Sequence, residues 1–525
     1  MRRHRSLQLT RFHRQNQPLR LRCHPVPMMK SKLDFFARWY LPIVLLLAVL
    51  PRLALACFEH GVNHPDEVFQ VLEPAHRWVY GYGIQAWEFQ SGARSWLLPG
   101  LLALLWKGLA ALGVSDPLTI VPILRLPFVA LAIFSAYLAS RLARKLAGDV
   151  AGGLAALLTA FTPLALYLDF RTTTEAASCP VVLLGLLAVI EKKLIRAGAW
   201  MALLVFLRPT NGIVGIGVVA SLLFAGRVRD TGRLTLGAVP VFAVGGLLDW
   251  ATWGSPFHHL FEYFRFNWME SGADVFGVQT AWSYVSLLVS TAPLLAFFLL
   301  PAAVGLLRAA RQAPEPVVVA GLTLFVLSAL GHKEARFLLP ILPLLATITA
   351  AGLVSLVGPW LVRHAPAPGT RMAILGIATI AVVVLSPLRA HELTFADVQD
   401  PRGEPEDHVL FGKRDSINRL LAEAGEQADL CGMLILGLLP NEMFSGGMTY
   451  LHRDVLLTSP ANRQLWLLMS QAANYAVADK STTPPGWQRL DERHGVALLR
   501  RSGECISLPE RYRPKPARPT APQAK

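Results

Sequence analysis

Trp96-Leu97-Leu98-Pro99-Gly100-Leu101-Leu102-Ala103-Leu104-Leu105-Trp106-Lys107-Gly108-Leu109-Ala110-Ala111-Leu112 is the stretch on which the topology of this chain turns. By length and apolarity it reads as a membrane span. Lys107 argues against that reading, because a lone ammonium at mid-bilayer costs about 3 kcal/mol. Laid in the outer interface as an amphipathic helix, the segment leaves the basic residues that follow mostly on the cytoplasmic side. Counted as a crossing, it inverts those clusters.

Working outward, a first span covers about 40–58 and carries Arg52 near its outer end, where the side chain can snorkel. Residues 59–117 form the first outer loop, with the Lys107 segment inside it. Further spans fall at about 118–140, 150–168, 176–190, 197–208, 211–226, 234–251, 283–306, 315–331, 337–357 and 372–388. Arg141, Arg144, Lys145, Lys192, Lys193, Arg196, Arg227, Arg229, Arg233, Arg308, Arg311, Arg363 and Arg371 then lie inside. Residues 252–282 make another outer loop. The prediction is an all-α polytopic membrane domain over 40–388 with about eleven spans.

Composition agrees. Of 525 residues, 53% are hydrophobic and 16% charged, with a mean hydropathy of +0.42. A soluble chain carries about 25% charge. The net charge of +15 fits basic cytoplasmic loops rather than nucleic acid. Five cysteines without a CxxC pair or Cys/His zinc spacing signal neither a disulfide framework nor a structural metal. Residues 1–39 are basic, with Asp34 the one acid, and read as a disordered cytoplasmic tail. A transit peptide, or a signal peptide cleaved after Ala54-Leu55-Ala56, are the competing readings.

The threading puts residues 389–525 outside. Met433 to Leu439 reads as a buried strand and Asn474 to Ala478 as another. Trp487 to Leu490 and Val496 to Arg500 can pair as a hairpin across Asp491 to Gly495. A small α/β domain over 389–510 and a disordered Pro/Arg tail over 511–525 follow. Cys431 and Cys505 are either a disulfide or two buried thiols. Ser445-Gly446-Gly447 reads as a turn.

The outer face gathers polar residues. The first loop holds His64, Asp66, Glu67, Gln70, Glu73, His76, Glu88 and Arg94 among Trp78, Tyr80, Tyr82 and Trp87. Later outer ends add Arg171, Glu175, Arg208, His332, Lys333, Glu334 and Arg336. For any one residue, ordinary solvation of a loop explains the polarity. As a group, cations on the side that disfavours them, beside carboxylates, suit an anionic lipid head group. A carboxylate there can accept the proton of an attacking hydroxyl while Arg and Lys hold a departing phosphate. Asp66 and Glu67, being adjacent, must point in different directions, and Pro65 restricts the backbone before them. His60, His64 and Asp66 are a weak alternative as metal ligands. His258-His259 reads as an interfacial pair, and Gly212 to Gly217 as close helix packing.

These residues also carry a resemblance. His64-Pro65-Asp66-Glu67-Val68-Phe69-Gln70, Glu73, His76, Tyr80-Gly81, Trp87-Glu88 and Arg94-Ser95 resemble the first luminal loop of the dolichyl-phosphate-mannose-dependent mannosyltransferases, glycosyltransferase family 22. His332-Lys333-Glu334-Ala335-Arg336-Phe337 with Pro340 is similar to that family's HKE-x-RF motif. Arg171 to Glu175, Arg208-Pro209-Thr210, Asp249, Gly254, Asn267 and Trp268 follow in family order, over roughly 40–390. Trp253-Gly254-Ser255-Pro256 departs from the family's pattern and leaves the acceptor and subfamily open.

The resemblance implies a GT-C fold and an inverting transfer of mannose. The donor would be a polyprenyl-phosphate sugar, and the acceptor a hydroxyl of a glycan or glycolipid at the outer or luminal face. It implies Asp66 as base with Glu67 beside it, and Arg171, Arg208, Lys333 and Arg336 toward the donor phosphate. The sugar and acceptor fall to His64, Gln70, Glu73, Trp87, Glu88, Arg94, Glu175, Asn267, His332 and Glu334. No cofactor or metal is expected. The membrane would be a bacterial inner membrane, or the endoplasmic reticulum in a eukaryote, and the sugar need not be mannose. A lipid-linked anion transporter and a non-catalytic scaffold are the competing functions. The transporter should show midplane charges and inverted repeats, whereas the charges here gather at one face.

Overall fold

A computed structural model describes residues 30–508 apart from 63, 271, 273–276, 310–313, 366, 399–407, 439–444 and 461. The expected tails over 1–29 and 511–525 lie outside the described residues, as do the side chains of Arg308 and Arg311. The chain runs through α1 (Lys30–Phe58), α2 (Glu73–Tyr80), α3 (Leu97–Ala111), α4 (Pro117–Ala147), α5 (Asp149–Phe161), α6 (Thr174–Ile190), α7 (Leu194–Leu207) and α8 (Gly212–Phe224). It continues through α9 (Val228–Trp253), α10 (His258–Phe264), α11 (Ser283–Thr291), α12 (Pro293–Ala309), α13 (Glu315–Ala329), α14 (Leu342–His364), α15 (Pro368–Glu392) and α16 (Lys413–Gly425).

The sequence places the boundaries. Asp116 caps α4 by accepting from Leu118 N at 3.0 Å, with Pro117 at the first helical position. Gly148, at φ 85°, separates α4 from α5. Thr173 caps α6.

Helices fall at each position where the threading puts a span. Five stretches are long and apolar enough to cross a membrane: Trp39–Phe58, Pro117–Ala147, Val228–Trp253, Ala335–His364 and Gly369–Glu392. The pair α11 and α12, bent by 118°, makes a sixth if it is one broken span. By contrast α5, α6, α7, α8 and α13 have 13 to 17 residues, below the roughly 20 that a straight crossing needs. The chain is built as an integral membrane protein, and eleven crossings remain a proposal.

Several helix ends that the threading puts on one side pair with each other. Arg141 and Lys145 of α4 meet Glu191 after α6 at 3.2 and 3.4 Å, and Arg227 meets Glu315 at 2.9 Å. From ends expected outside, Glu175, Arg208, Glu334 and Arg336 gather with Asp66. The α3 segment packs on α2, with Lys107 5.2 Å from the Trp78 ring and Trp106 against His76.

Arg52 does not snorkel. It is buried and its Nη2 lies 2.6 Å from Asp169 Oδ2, with further bonds to Ala48 O and Ala160 O. Packing against α5 closes the route to the interface and supplies a carboxylate instead.

Beyond α15 lies a five-stranded sheet of β1 (Gly432–Leu436), β2 (Leu456–Thr458), β3 (Tyr475–Asp479), β4 (Trp487–Arg493) and β5 (Val496–Arg501), in the order β2-β1-β3-β5-β4. The β1 strand pairs parallel with β2 and β3, and β5 antiparallel with β3 and β4. Alternate residues face opposite ways. Met433, Ile435, Tyr475 and Val477 pack toward α16, and Leu434, Leu436, Ala476 and Ala478 toward Trp466 and Met469. The short edge strand β2 was not expected from the sequence. Cys431 and Cys505 are bonded, with Cα atoms 6.1 Å apart.

Candidate active site

His64 begins the site. Its side chain accepts from Asp66 N at 3.3 Å and caps the helical turn Pro65–Glu67. A π-helical turn, Val68–Leu72, follows and runs into α2. Such turns interrupt helices often at functional positions. The turn sends Asp66 and Glu67 opposite ways.

Asp66 faces a charged cluster. Arg336 Nη2 donates to its Oδ2 at 2.5 Å, Arg94 Nη2 lies at 3.8 Å and His64 Nδ1 at 3.5 Å from Oδ1. Arg336 also bonds Glu334, and Glu175 at 3.1 Å; Glu175 in turn receives Arg208. Burial pushes the Asp66 carboxyl up, but Arg336, His64 and Arg94 together hold it well below the usual range. Asp66 is therefore an ionised acceptor.

Residues 332–336 supply one wall. Glu334 is extended, at φ −140° and ψ 148°, before the 3-10 turn Ala335–Ile341. His332, Glu334 and Arg336 meet one another there, while Lys333 is held by backbone carbonyls. His332 Nε2 meets Glu334 Oε1 at 2.7 Å and Nδ1 meets Gly277 O at 3.0 Å. Burial alone lowers the His332 pKa, yet Glu334 and the Gly277 carbonyl raise it above the ordinary value. His64 Nε2 lies 3.3 Å from Glu334 Oε2.

On the first-loop side, Gln70 Nε2 donates to Glu88 Oε1 at 2.8 Å, and Glu88 lies 4.0 Å from Arg94. Burial first, and the Asp66 charge second, push the Glu88 carboxyl up. The two carboxyls are thus driven apart in proton affinity, the usual arrangement for distinct roles. Arg94 lies 5.4 Å from the Tyr263 ring of α10, and the Trp87 and Phe266 rings meet at 4.2 Å, tilted by 39°.

Arg208 lies over the Phe337 ring, 4.5 Å from its centroid. Beside it is a small pocket, lined by Glu175 and Arg208 at one side and by Val214, Leu327 and Ile341 at another. Charged and apolar side chains thus share its lining.

Five residues expected in the site have other partners. Glu67 is 1% exposed and sits between Arg125 at 3.2 Å and Arg171 at 3.1 Å, behind Asp66. Arg171 also donates to Gly61 O and Tyr167 O, so it braces Glu67 and the backbone behind Asp66. Lys333 Nζ is held by the carbonyls of Gln279, Leu330 and Gly331. Glu73 accepts from Ile84 N at 2.8 Å and Thr449 N at 2.6 Å, clasping the first loop to the C-terminal domain. Asn267 donates to Tyr263 O of its own helix at 2.9 Å. The metal alternative also separates, since His60 Nδ1 meets Tyr450 at 3.5 Å while His64 meets Asp66 and Glu334. Among the described residues no three His, Cys, Asp or Glu gather around a common point.

Sequence reasoning missed Arg125, a cation within the expected span 118–140. Ionisable groups in apolar runs mark functional positions, and that signal was present. It also read His258-His259 only as interfacial. His259 Nδ1 lies 2.6 Å from buried Asp249, and His258 Nε2 meets Ser91 O at 3.2 Å, docking α10 against α9 and the first loop.

The chain is similar to several known proteins. It is 31% identical over 317 residues to GPI mannosyltransferase 3 of Yarrowia lipolytica, covering 58% of this chain and 60% of that protein. It is 27% identical over 322 residues to GPI alpha-1,2-mannosyltransferase 3 of Homo sapiens, covering 57% and 56%. The match thus spans little more than half of these relatives' length.

Among solved structures, apo ArnT from Cupriavidus metallidurans superposes with a TM-score of 0.55 at 12% identity, covering 89% of this chain and 98% of that one. The oligosaccharyltransferase AglB from Archaeoglobus fulgidus gives 0.51 at 13%, covering 85% and 70%. These likenesses show the fold, the GT-C-like architecture that the resemblance implies. With the family model matching residues 43–394, the chain belongs to the Alg9-like mannosyltransferase family.

Proposed function

We propose that this protein transfers mannose from a polyprenyl-phosphate mannose to a hydroxyl of a glycan or glycolipid acceptor, with inversion, at the outer or luminal membrane face. The observation that carries this reading is the ionised Asp66 bound to Arg336, in a cluster that also holds Arg208 beside an apolar-walled pocket. The family and its GPI mannosyltransferase relatives support mannose as the sugar.

The donor phosphate binds between Arg208 and Arg336, with its lipid tail along Val214, Leu327 and Ile341. The acceptor oxygen attacks the anomeric carbon, its proton passes to Asp66, and the bond from that carbon to the phosphate oxygen breaks. The electron pair leaves with the phosphate, where Arg208 and Arg336 stabilise it. Binding has a second consequence. Arg336 depresses the Asp66 carboxyl, and a phosphate sharing that guanidinium lets the carboxyl rise toward its usual range. Asp66 becomes a stronger base when donor is present. His64, Gln70, Glu88, Arg94, Trp87, His332 and Glu334 lie on the acceptor and sugar side. The cationic role falls to the two arginines, so the reading takes no resident metal or cofactor.

The test is transfer by purified protein from radiolabelled polyprenyl-phosphate mannose to glycolipid acceptors. Asp66→Asn is expected to abolish transfer while donor binding persists. Undiminished turnover in that variant would remove Asp66 as the base.

A further inference from the structure

Residues 59–62, between α1 and the turn that carries Asp66, belong to neither helix nor sheet. Buried backbone polar groups must nonetheless be paired. Here side chains do it. The carbonyls of Phe58, Glu59, His60, Gly61 and Val62 accept in turn from Arg419 (2.5 Å), Arg125, Asn418 (2.5 Å), Arg171 (2.8 Å) and Arg414 (3.2 Å). His60 N donates to Asp415 Oδ1 at 2.7 Å, and Phe411 N donates to Glu59 Oε2. Gly61 fits because a Cβ there would meet Glu59 Oε1 at 2.4 Å and Asp415 N at 3.2 Å.

Arg414, Asp415, Asn418 and Arg419 all lie on α16, at spacings that put them on one helix face. Asn418 is itself held, since its Oδ1 accepts from Gly446 N at 2.6 Å. These residues fall beyond the matched family region, which ends at 394.

We infer that one face of α16 in the C-terminal domain is a positioning element for the transfer reaction, gripping the backbone of 58–62 and thereby placing the Asp66 carboxylate. The inference rests on the functional reading above. The path from grip to carboxylate is short. Val62 is four residues before Asp66, and Pro65 and the His64 cap stiffen the intervening chain. Arg125 and Arg171 grip the same segment from the membrane domain while bracing Glu67. Misplacing a reacting group by about 1 Å costs up to about a hundredfold in rate. These residues touch no reacting atom, so their signature is a loss in kcat with donor KM unchanged.

Kinetics and hydrogen exchange test this on the full-length protein in nanodiscs. Asn418→Ala and Arg414→Ala are each expected to lower kcat about tenfold, leave donor KM unchanged, and speed amide exchange over 58–72. Arg414→Lys, which can still donate to Val62 O, should recover part of the loss. Arg493→Ala, removing a surface pair with Glu423 and Asp491 in the same domain, should change neither readout. If Asn418→Ala fails to fold, Arg419→Ala, whose side chain is 30% exposed, takes its place. Unchanged kcat and unchanged exchange in the grip variants overturn the inference. So does an equal loss in Arg493→Ala. Failure of the wild type to use the mannosyl donor sinks the functional reading instead, and exchange over 58–72 still decides the grip.

Discussion

Asp66 and Glu67 are neighbours in the chain and have opposite surroundings. Asp66 keeps 18% of its side chain exposed and shares Arg336 with Glu175 and Glu334. Glu67 is 1% exposed and locked between two arginines that also hold backbone carbonyls. Both sides are rich in charge. The difference is that the Asp66 side is partly open and gathers several carboxylates, whereas the Glu67 side is sealed, with one carboxylate between two guanidiniums. A charged group near a site is thus not evidence of chemistry until its partners are counted.

The sharpest way to break the comparison is to neutralise each acid in turn. Asp66→Asn should cost at least about a thousandfold in kcat with the melting temperature close to wild type, as loss of a general base does. Glu67→Gln should instead destabilise the fold by about 3–5 kcal/mol, because it leaves Arg125 and Arg171 buried without their anion. Thermal unfolding and turnover on the same preparations separate the two. A catalytic collapse in Glu67→Gln without loss of stability would reverse the assignment.

A smaller effect tests the open side. Arg208→Ala should lower kcat/KM for the donor about a hundredfold, the scale for removing one charge-stabilising donor. Arg208→Lys should recover only part, since an ammonium lacks the planar fork and the stacking on Phe337.

The smallest effect sharpens the sealed side. Burial pushes the Glu73 carboxyl up to about 7, against the hydrogen bonds from Thr449 and Ile84, which lower it. Its folded pKa exceeds its unfolded one, so the protonated form stabilises. That contribution is complete below the unfolded value near 4.5 and fades as pH rises through about 7. Glu73→Gln should therefore show a smaller drop in melting temperature between pH 5 and pH 8 than the wild type. An equal or larger drop removes Glu73 as a titrating clasp.

Much of this was legible in the sequence. The apolar runs and basic clusters located the helices, and the two motifs named the residues of the cluster. Lys333 was counted with the group, and the backbone carbonyls that hold it were not legible in the motif. What was hidden depends on distance along the chain. The grip on His60 and Val62 comes from residues more than 350 positions later, and no local pattern announces such a contact. Arg171 was misread for the same reason, because its partner at Glu67 lies 104 positions away. Helix length was overestimated at 150–168, where the apolar run continues through Thr162-Pro163 and the helix stops, and underestimated at 118–140, since α4 continues to Ala147.

The Arg52–Asp169 pair bears on how the molecule is made. During synthesis α1 emerges with a guanidinium whose carboxylate is 117 residues away. Until Asp169 arrives, an unpaired Arg sits within an inserting segment, at a cost of about 2.5–3.5 kcal/mol were it at the helix centre. The first helix is then a provisional tenant of the bilayer and becomes permanent when the α4–α5 hairpin docks. Chains truncated before residue 169 should be degraded faster in pulse-chase than chains truncated just after α6, and Asp169→Asn should erase that protection.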